Sequence, residues 1–82
     1  MIERISRAIE NVIKEKVDID QLRNSKELIN DLGLNSINRM RLILELEKIF
    51  QVQFDLEKID ISVFNNLECL EQYISNTLNE NA

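Results

Sequence analysis

Apolar residues recur three and four positions apart along three stretches of this chain, and a chain so patterned folds by laying amphipathic helices against one another. In the first stretch Ile2, Ile5, Ile9, Val12 and Ile13 alternate with Glu3, Arg7, Glu10 and Lys14, which predicts a helix of about four turns ending near Lys16 or Val17. The second, from Ser36 to about Gln51, is rich in good helix formers and holds neither glycine nor proline, so it reads as a long helix. The third carries Leu67, Leu70, Tyr73, Ile74 and Leu78 behind Asn66, a residue type favoured as a helix cap. Gln51 to Phe54 alternates weakly, but one strand without a partner cannot satisfy its backbone, so this segment is expected as extended loop.

From Asp18 to Leu34 the periodicity breaks, and a long loop is expected there, with one short turn after Ser25 and with Leu22, Leu28, Ile29 and Leu32 tying it to the core. A loop of that length in a small domain is unusual and often functional. Leu56 to Phe64 predicts a short helical turn, and the polar residues from Asn79 to Ala82 a frayed tail. The 82 residues, 44% of them hydrophobic, suffice for one core. The expected fold is therefore all-α: a four-helix bundle over residues 1–82, with a long loop between helices 1 and 2 and a short third helix.

Charge and residue types then narrow the function. The net charge of -5 argues against a binder of nucleic-acid backbones, which needs a basic surface. The chain has no histidine, the commonest general base and metal ligand, and its one cysteine excludes thiolate clusters. An enzyme is disfavoured and no metal site is expected. Asp55, Glu57 and Asp60 suggest a calcium loop only superficially, because the glycine and the closing glutamate of such a loop are missing. Lone Cys69, among Leu67, Leu70 and Tyr73, belongs to a half-buried helix face and fits a reducing cytoplasm. No apolar run is long enough to span a membrane, and Glu3 and Arg4 open no secretory signal. Met1 and the polar tail suit a stand-alone protein, expected as a monomer.

The most informative segment is Asp31-Leu32-Gly33-Leu34-Asn35-Ser36-Ile37. Gly33 can take a positive φ at little steric cost, turning the loop sharply into the long helix. Ser36 then stands at a helix start, where free N–H groups and the helix dipole stabilise an anion. The plainer alternative is that Asn35 or Ser36 simply caps the helix. On a helical wheel starting at Ser36, Leu42, Ile43, Leu46, Ile49 and Phe50 form one arc centred near about 280°, the core face. Ile37, Met40 and Leu44 lie at about 40–100°, a second apolar patch beside Ser36. That patch either packs under the preceding loop or is exposed for docking. Arg39 projects near about 300°, either snorkelling from the core face or solvated. Ser6, Ser25, Ser62 and Ser75 lack both the preceding glycine and the following apolar helix.

Leu32-Gly33-Leu34-Asn35-Ser36-Ile37, followed by Leu42, Leu46, Glu47, Ile49 and Phe50, resembles the acyl carrier and peptidyl carrier protein superfamily, whose hallmark is Asp-Ser-Leu at the start of the second helix. Phe64-Asn65-Asn66-Leu67, then Leu70, Tyr73 and Ile74, looks like that family's start of the last helix. The resemblance implies a carrier, not an enzyme. A phosphopantetheinyl transferase would move 4'-phosphopantetheine from coenzyme A to Ser36, and the arm's thiol would carry an acyl or aminoacyl thioester. The implied partners are that transferase, an adenylating or acyl-loading enzyme, and downstream acyl-transfer enzymes. Asn35, Ile37, Met40, Arg41 and Leu44 are the candidate docking residues. Leu42, Leu46 and Phe64 either line a cargo cavity or belong to the core.

The chain departs from the family at Asn35, where aspartate is usual, and at Ile37, where leucine is usual. The long helix also carries Arg39, Arg41 and Lys48 against Glu45 and Glu47, whereas carriers of fatty acid synthesis present an acidic face there. Like charges across an interface cost affinity, so docking on basic fatty-acid enzymes is disfavoured. A specialised or nonribosomal-peptide-type pathway is expected, the alternatives being a fatty-acid carrier or an unmodified helical adaptor that uses the patch only for binding.

Overall fold

The computed structural model describes residues 1–80. Its elements run α1 (Ile2–Ile13), α2 (Ile19–Asn24), α3 (Leu28–Leu32), α4 (Ser36–Phe50), a 3-10 turn (Ile61–Phe64) and α5 (Leu67–Glu80), with no strand among the described residues. The fold is the expected all-helical bundle, in which α1, α4 and α5 are the long elements.

Each long helix buries the stripe its spacing marks. Ile5 and Ile9 of α1, Leu42 and Leu46 of α4, and Leu70 and Ile74 of α5 are all within 1% of complete burial. These six fill one core between the helices. Truncating any one of them leaves a cavity the packed surroundings cannot fully close, at a cost of about 2–5 kcal/mol. Arg4 of α1 lies over the Phe50 ring of α4, 5.6 Å from its centroid, and Phe54 meets Tyr73 of α5 with ring centroids 5.3 Å apart. Gln51 to Phe54 is irregular, as expected, and the Phe54 N–H donates to Glu47 Oε2 at 2.8 Å. That bond folds the segment back onto α4.

Several segments differ from the sequence reading. α1 stops at Ile13, not at Lys16 or Val17, because Lys14 turns left-handed at φ 62° while its N–H still reaches Glu10 O. The Val17 N–H then donates to Glu10 Oε2 at 2.8 Å, drawing the chain back along the helix. The expected long loop holds two short helices, α2 and α3. Asp18 caps α2 by accepting from the Asp20 N–H at 2.9 Å, and Leu22 and Leu28 are buried as the anchors of α2 and α3. With one buried anchor per helix, no periodicity shows in the sequence.

At the other end, the helical turn expected over Leu56 to Phe64 is confined to Ile61–Phe64, started by Asp60 Oδ1 accepting from the Ser62 N–H. Asn66 caps α5 through the Cys69 N–H at 2.8 Å. Asn79 and Glu80, assigned to a frayed tail from sequence, are the last residues of α5. The remainder of that tail, 81–82, lies outside the described residues.

Candidate functional site

The approach to Ser36 is built by Gly33. Its φ of 66° closes α3, with its N–H bonded to Asn30 O at 3.3 Å and the next N–H, of Leu34, bonded to Ile29 O at 2.8 Å. This pair of bonds is the Schellman closure, in which a left-handed residue satisfies the last carbonyls of a helix. Beyond its two chain neighbours, no residue stands within 4 Å of where a Cβ would lie, so the glycine is required by its backbone angle, not by crowding. Leu34 is buried two residues before the site and pins the turn to the core.

Asn35 is the residue that caps α4. Its Oδ1 accepts the Asn38 N–H at 2.8 Å, and its backbone is extended, at φ -77° and ψ 178°. Ser36 is therefore the first helical residue, exposed, and its hydroxyl has no hydrogen-bond partner among the described residues. The plain capping role is taken by its neighbour, which leaves Ser36 Oγ available for substitution. No acidic residue stands in the first turn of α4 to repel an anion there.

The second apolar patch is exposed, not packed under the preceding loop: Ile37 is 65%, Leu44 51% and Met40 48% accessible. On the wheel the patch is bordered by Arg41 and Lys48 on one side and Glu47 on the other. Both basic residues are exposed. Glu47 is occupied by the Phe54 N–H, and Glu45 accepts from Asn11 of α1 at 3.4 Å. The acids of α4 are thus turned towards the protein's own backbone and α1, while Arg41 and Lys48 make no ion pair among the described residues. Of the docking candidates, Ile37, Met40, Arg41 and Leu44 share this one accessible side of α4, while Asn35 is exposed at the cap that precedes the helix.

Beside Ser36 a pocket of about 230 Å³ opens between α4 and the segment before α5. Ser36, Arg39, Met40 and Ile43 form its α4 wall, and Leu56, Ile59, Ile61 and Phe64 face them. Of the three cargo-lining candidates, only Phe64 reaches this pocket. Leu42 and Leu46 are core residues, and Ile43 and Met40 stand on the wall instead. The wheel could not settle this, because the loop from Leu56 to Ile61 that forms the opposite wall has no period to place it. Leu56 and Ile61, which sequence reasoning left out of the site, are exposed apolar residues on this wall, and their aperiodic segment offers no sequence signal for that placement.

Arg39, whose angle falls among the core positions, is half-buried and lines this wall, neither fully in the core nor fully solvated. Asp55, Glu57 and Asp60 make local turn contacts, and among the described residues no acidic, histidine or cysteine cluster could hold a metal. No helix among the described residues is long and apolar enough to cross a membrane.

These features suit a phosphodiester-linked arm. The only chemistry attachment asks of the chain is an accessible hydroxyl, a surrounding tolerant of one negative charge, and room beside it. Ser36 at the uncrowded, acid-free start of α4, with an apolar pocket and an arginine next to it, offers all three.

A family model described as phosphopantetheine attachment site matches residues 5–74, which take in most of α1, the first half of α5 and every element between them. Among curated proteins, the chain is 36% identical over 62 residues to the acyl carrier protein of Thermotoga maritima, covering 70% of this chain and 76% of that protein. It is 33% identical over 61 residues to the acyl carrier protein of Buchnera aphidicola subsp. Acyrthosiphon pisum (72% of this chain, 76% of that one). To that of Coprothermobacter proteolyticus it is 29% identical over 59 residues (70% and 72%). No solved structure gives a significant match. With the helical bundle and the glycine-led start of α4 in place, these matches decide the family: the chain belongs to the phosphopantetheine-binding acyl and peptidyl carrier superfamily, and its covalent cofactor is 4'-phosphopantetheine.

Proposed function

We propose that Ser36 is the residue that carries the arm, and that residues 1–82 act as one carrier domain for an acyl or aminoacyl group in a specialised pathway. The observation that carries this reading is the division of labour at the start of α4. Asn35 caps the helix through the Asn38 N–H at 2.8 Å, and the Ser36 hydroxyl is left exposed and unbonded among the described residues. When bound, the arm supplies a terminal thiol that keeps its cargo activated as a thioester.

The protein's own part is position. Gly33 and the Asn35 cap hold Ser36 at the edge of a rigid helix, so the arm's base is fixed while its free end sweeps the partner sites at raised local concentration. With no histidine in the sequence and no cluster of acids at the site among the described residues, the chain acts as a carrier and its partners do the chemistry. Those partners are a phosphopantetheinyl transferase, an adenylating or acyl-loading enzyme, and downstream acyl-transfer enzymes. Lone, half-buried Cys69 suits work in a reducing cytoplasm.

The docking side of α4 supports the specialised pathway. Exposed Ile37, Met40 and Leu44, bordered by Arg41 and Lys48, suit an enzyme surface with an apolar depression and an acidic rim. A basic rim would meet like charge. The relatives' name supports an acyl cargo, including the fatty-acid alternative, and does not favour an amino acid. Charging the modified protein with pools of acyl groups and amino acids through candidate adenylating and acyl-loading enzymes tests the pathway. Loading by a dedicated enzyme is expected, and exclusive loading by fatty acid synthase enzymes would refute the specialised assignment.

A further inference from the structure

We infer that Arg39 anchors the phosphodiester at the base of the arm, as a positioning residue; this rests on Ser36 being the attachment point. Arg39 follows Ser36 by three residues on α4, and side chains so spaced on a helix are neighbours, about 5–6 Å apart at Cβ. Both line the same pocket, whose other walls are apolar.

Among the described residues, Arg39 brings the one formal charge to that pocket. The ion pairs among the described residues are those of the N-terminus with Glu3 and of Lys58 with Asp55, so no carboxylate neutralises Arg39. A half-buried guanidinium beside apolar side chains keeps its charge and gains by meeting a fixed anion. A phosphodiester on Ser36 Oγ sets one negative charge one turn away. Its two free oxygens match the planar fork of an arginine, which a lysine satisfies only as a point charge. Arg41, two residues further on and so about 200° around the helix, faces solvent and cannot share the contact.

Anchoring has a consequence for the cargo. An arm tied at its phosphate to the pocket wall starts out over the pocket formed with Leu56, Ile61 and Phe64 instead of pointing into solvent. The same guanidinium could be claimed by a carboxylate on the cargo. The phosphodiester is favoured because it is fixed within one helical turn, whereas a cargo group must fold back along the whole arm.

The test converts the native chain, R39Q, R39K and R41Q to the modified form with coenzyme A and a broad-specificity transferase, with intact mass confirming one arm on each. The change in Tm on modification is then measured in low and high salt, together with the phosphorus NMR spectrum. At low salt the change is expected to be about 2–4 °C more favourable for the native chain than for R39Q, the scale of one partly exposed ion pair in so small a domain. That difference should shrink in high salt, return in part in R39K, and be absent between the native chain and R41Q. The phosphorus resonance should move in R39Q and not in R41Q. Equal changes in native and R39Q protein, or equal losses in R39Q and R41Q, would overturn the anchor. A native–R39Q difference that appears only after a carboxylate-bearing cargo is loaded would overturn it in favour of the cargo. A native chain that takes no arm would contradict the attachment site itself, a failure seen in the mass before any Tm is compared.

Discussion

Replacing Asn35 by aspartate isolates the electrostatics at the attachment site, because asparagine and aspartate cap helices about equally well. Either side chain can accept the Asn38 N–H that Asn35 Oδ1 now receives at 2.8 Å, so the geometric contributions cancel. What remains is one negative charge at the N-terminus of α4, a helix with no acid in its first turn. Such a charge stabilises by about 0.3–1 kcal/mol at low salt. In a domain of this size about 0.5 kcal/mol raises Tm by about 2–4 °C. Asn35→Ala, by contrast, loses the cap and costs about 1 kcal/mol. The new carboxylate is held ionised by the fold, so its gain is present at neutral pH and disappears as pH falls below the ordinary aspartate value of about 3.9. Near 1 M salt, where screening acts within about 3 Å, most of the gain should vanish. In the modified protein the adjacent phosphodiester repels the carboxylate, so the gain shrinks or reverses. Thermal unfolding of native, N35D and N35A protein, with and without the arm, reads all of these. If N35D destabilised as much as N35A, or stabilised equally in high salt, the assignment of Asn35 as the cap that frees Ser36 would be wrong.

Other perturbations probe the frame around the site. Gly33→Ala forces a left-handed angle on a residue with a Cβ but meets no atom there, so a loss of about 1–2 kcal/mol in urea unfolding is expected, with the fold kept. A loss near zero would mean that the turn does not depend on φ. Leu46→Ala, at a fully buried position, should cost about 2–5 kcal/mol of the roughly 4–12 kcal/mol such a domain possesses; circular dichroism of the variant at rising temperature checks it, and a cost under about 1 kcal/mol would deny Leu46 its core role. Burial, and then the charges of Asp55, Glu80 and Glu47, hold the Tyr73 hydroxyl above its ordinary range. Its contribution is fully present below about pH 10 and is lost as pH rises through the tyrosine range. Tyr73→Phe should therefore flatten the alkaline decline in Tm, and parallel declines in the two proteins would contradict the cause given.

How much of this was legible in the sequence depended on how many buried residues each element offers. α1, α4 and α5 repeat their apolar residues over several turns, so their existence and their core faces follow from spacing alone. α2 and α3 have one buried leucine each, Leu22 and Leu28, and a single anchor has no period. Their caps, Asp18 and Gly33, were the better signals. At the site, Gly33 and Ser36 were legible because backbone angle and helix start depend on local residues. The choice between Asn35 and Ser36 as cap needed the actual bond to Asn38. The pocket was least legible, because half of it comes from the aperiodic segment around Leu56 and Ile61, brought against α4 by the Glu47 bond to the Phe54 N–H.

Ser36 as the point of attachment is the central claim, and intact mass spectrometry tests it most directly. Native protein and Ser36→Ala are incubated with coenzyme A and a broad-specificity phosphopantetheinyl transferase. Substitution at the exposed first residue of α4, whose cap is Asn35, leaves the fold in place. A mass gain of one arm on the native chain and none on the variant is the predicted result; no gain on the native chain, or the same gain on both, would contradict it.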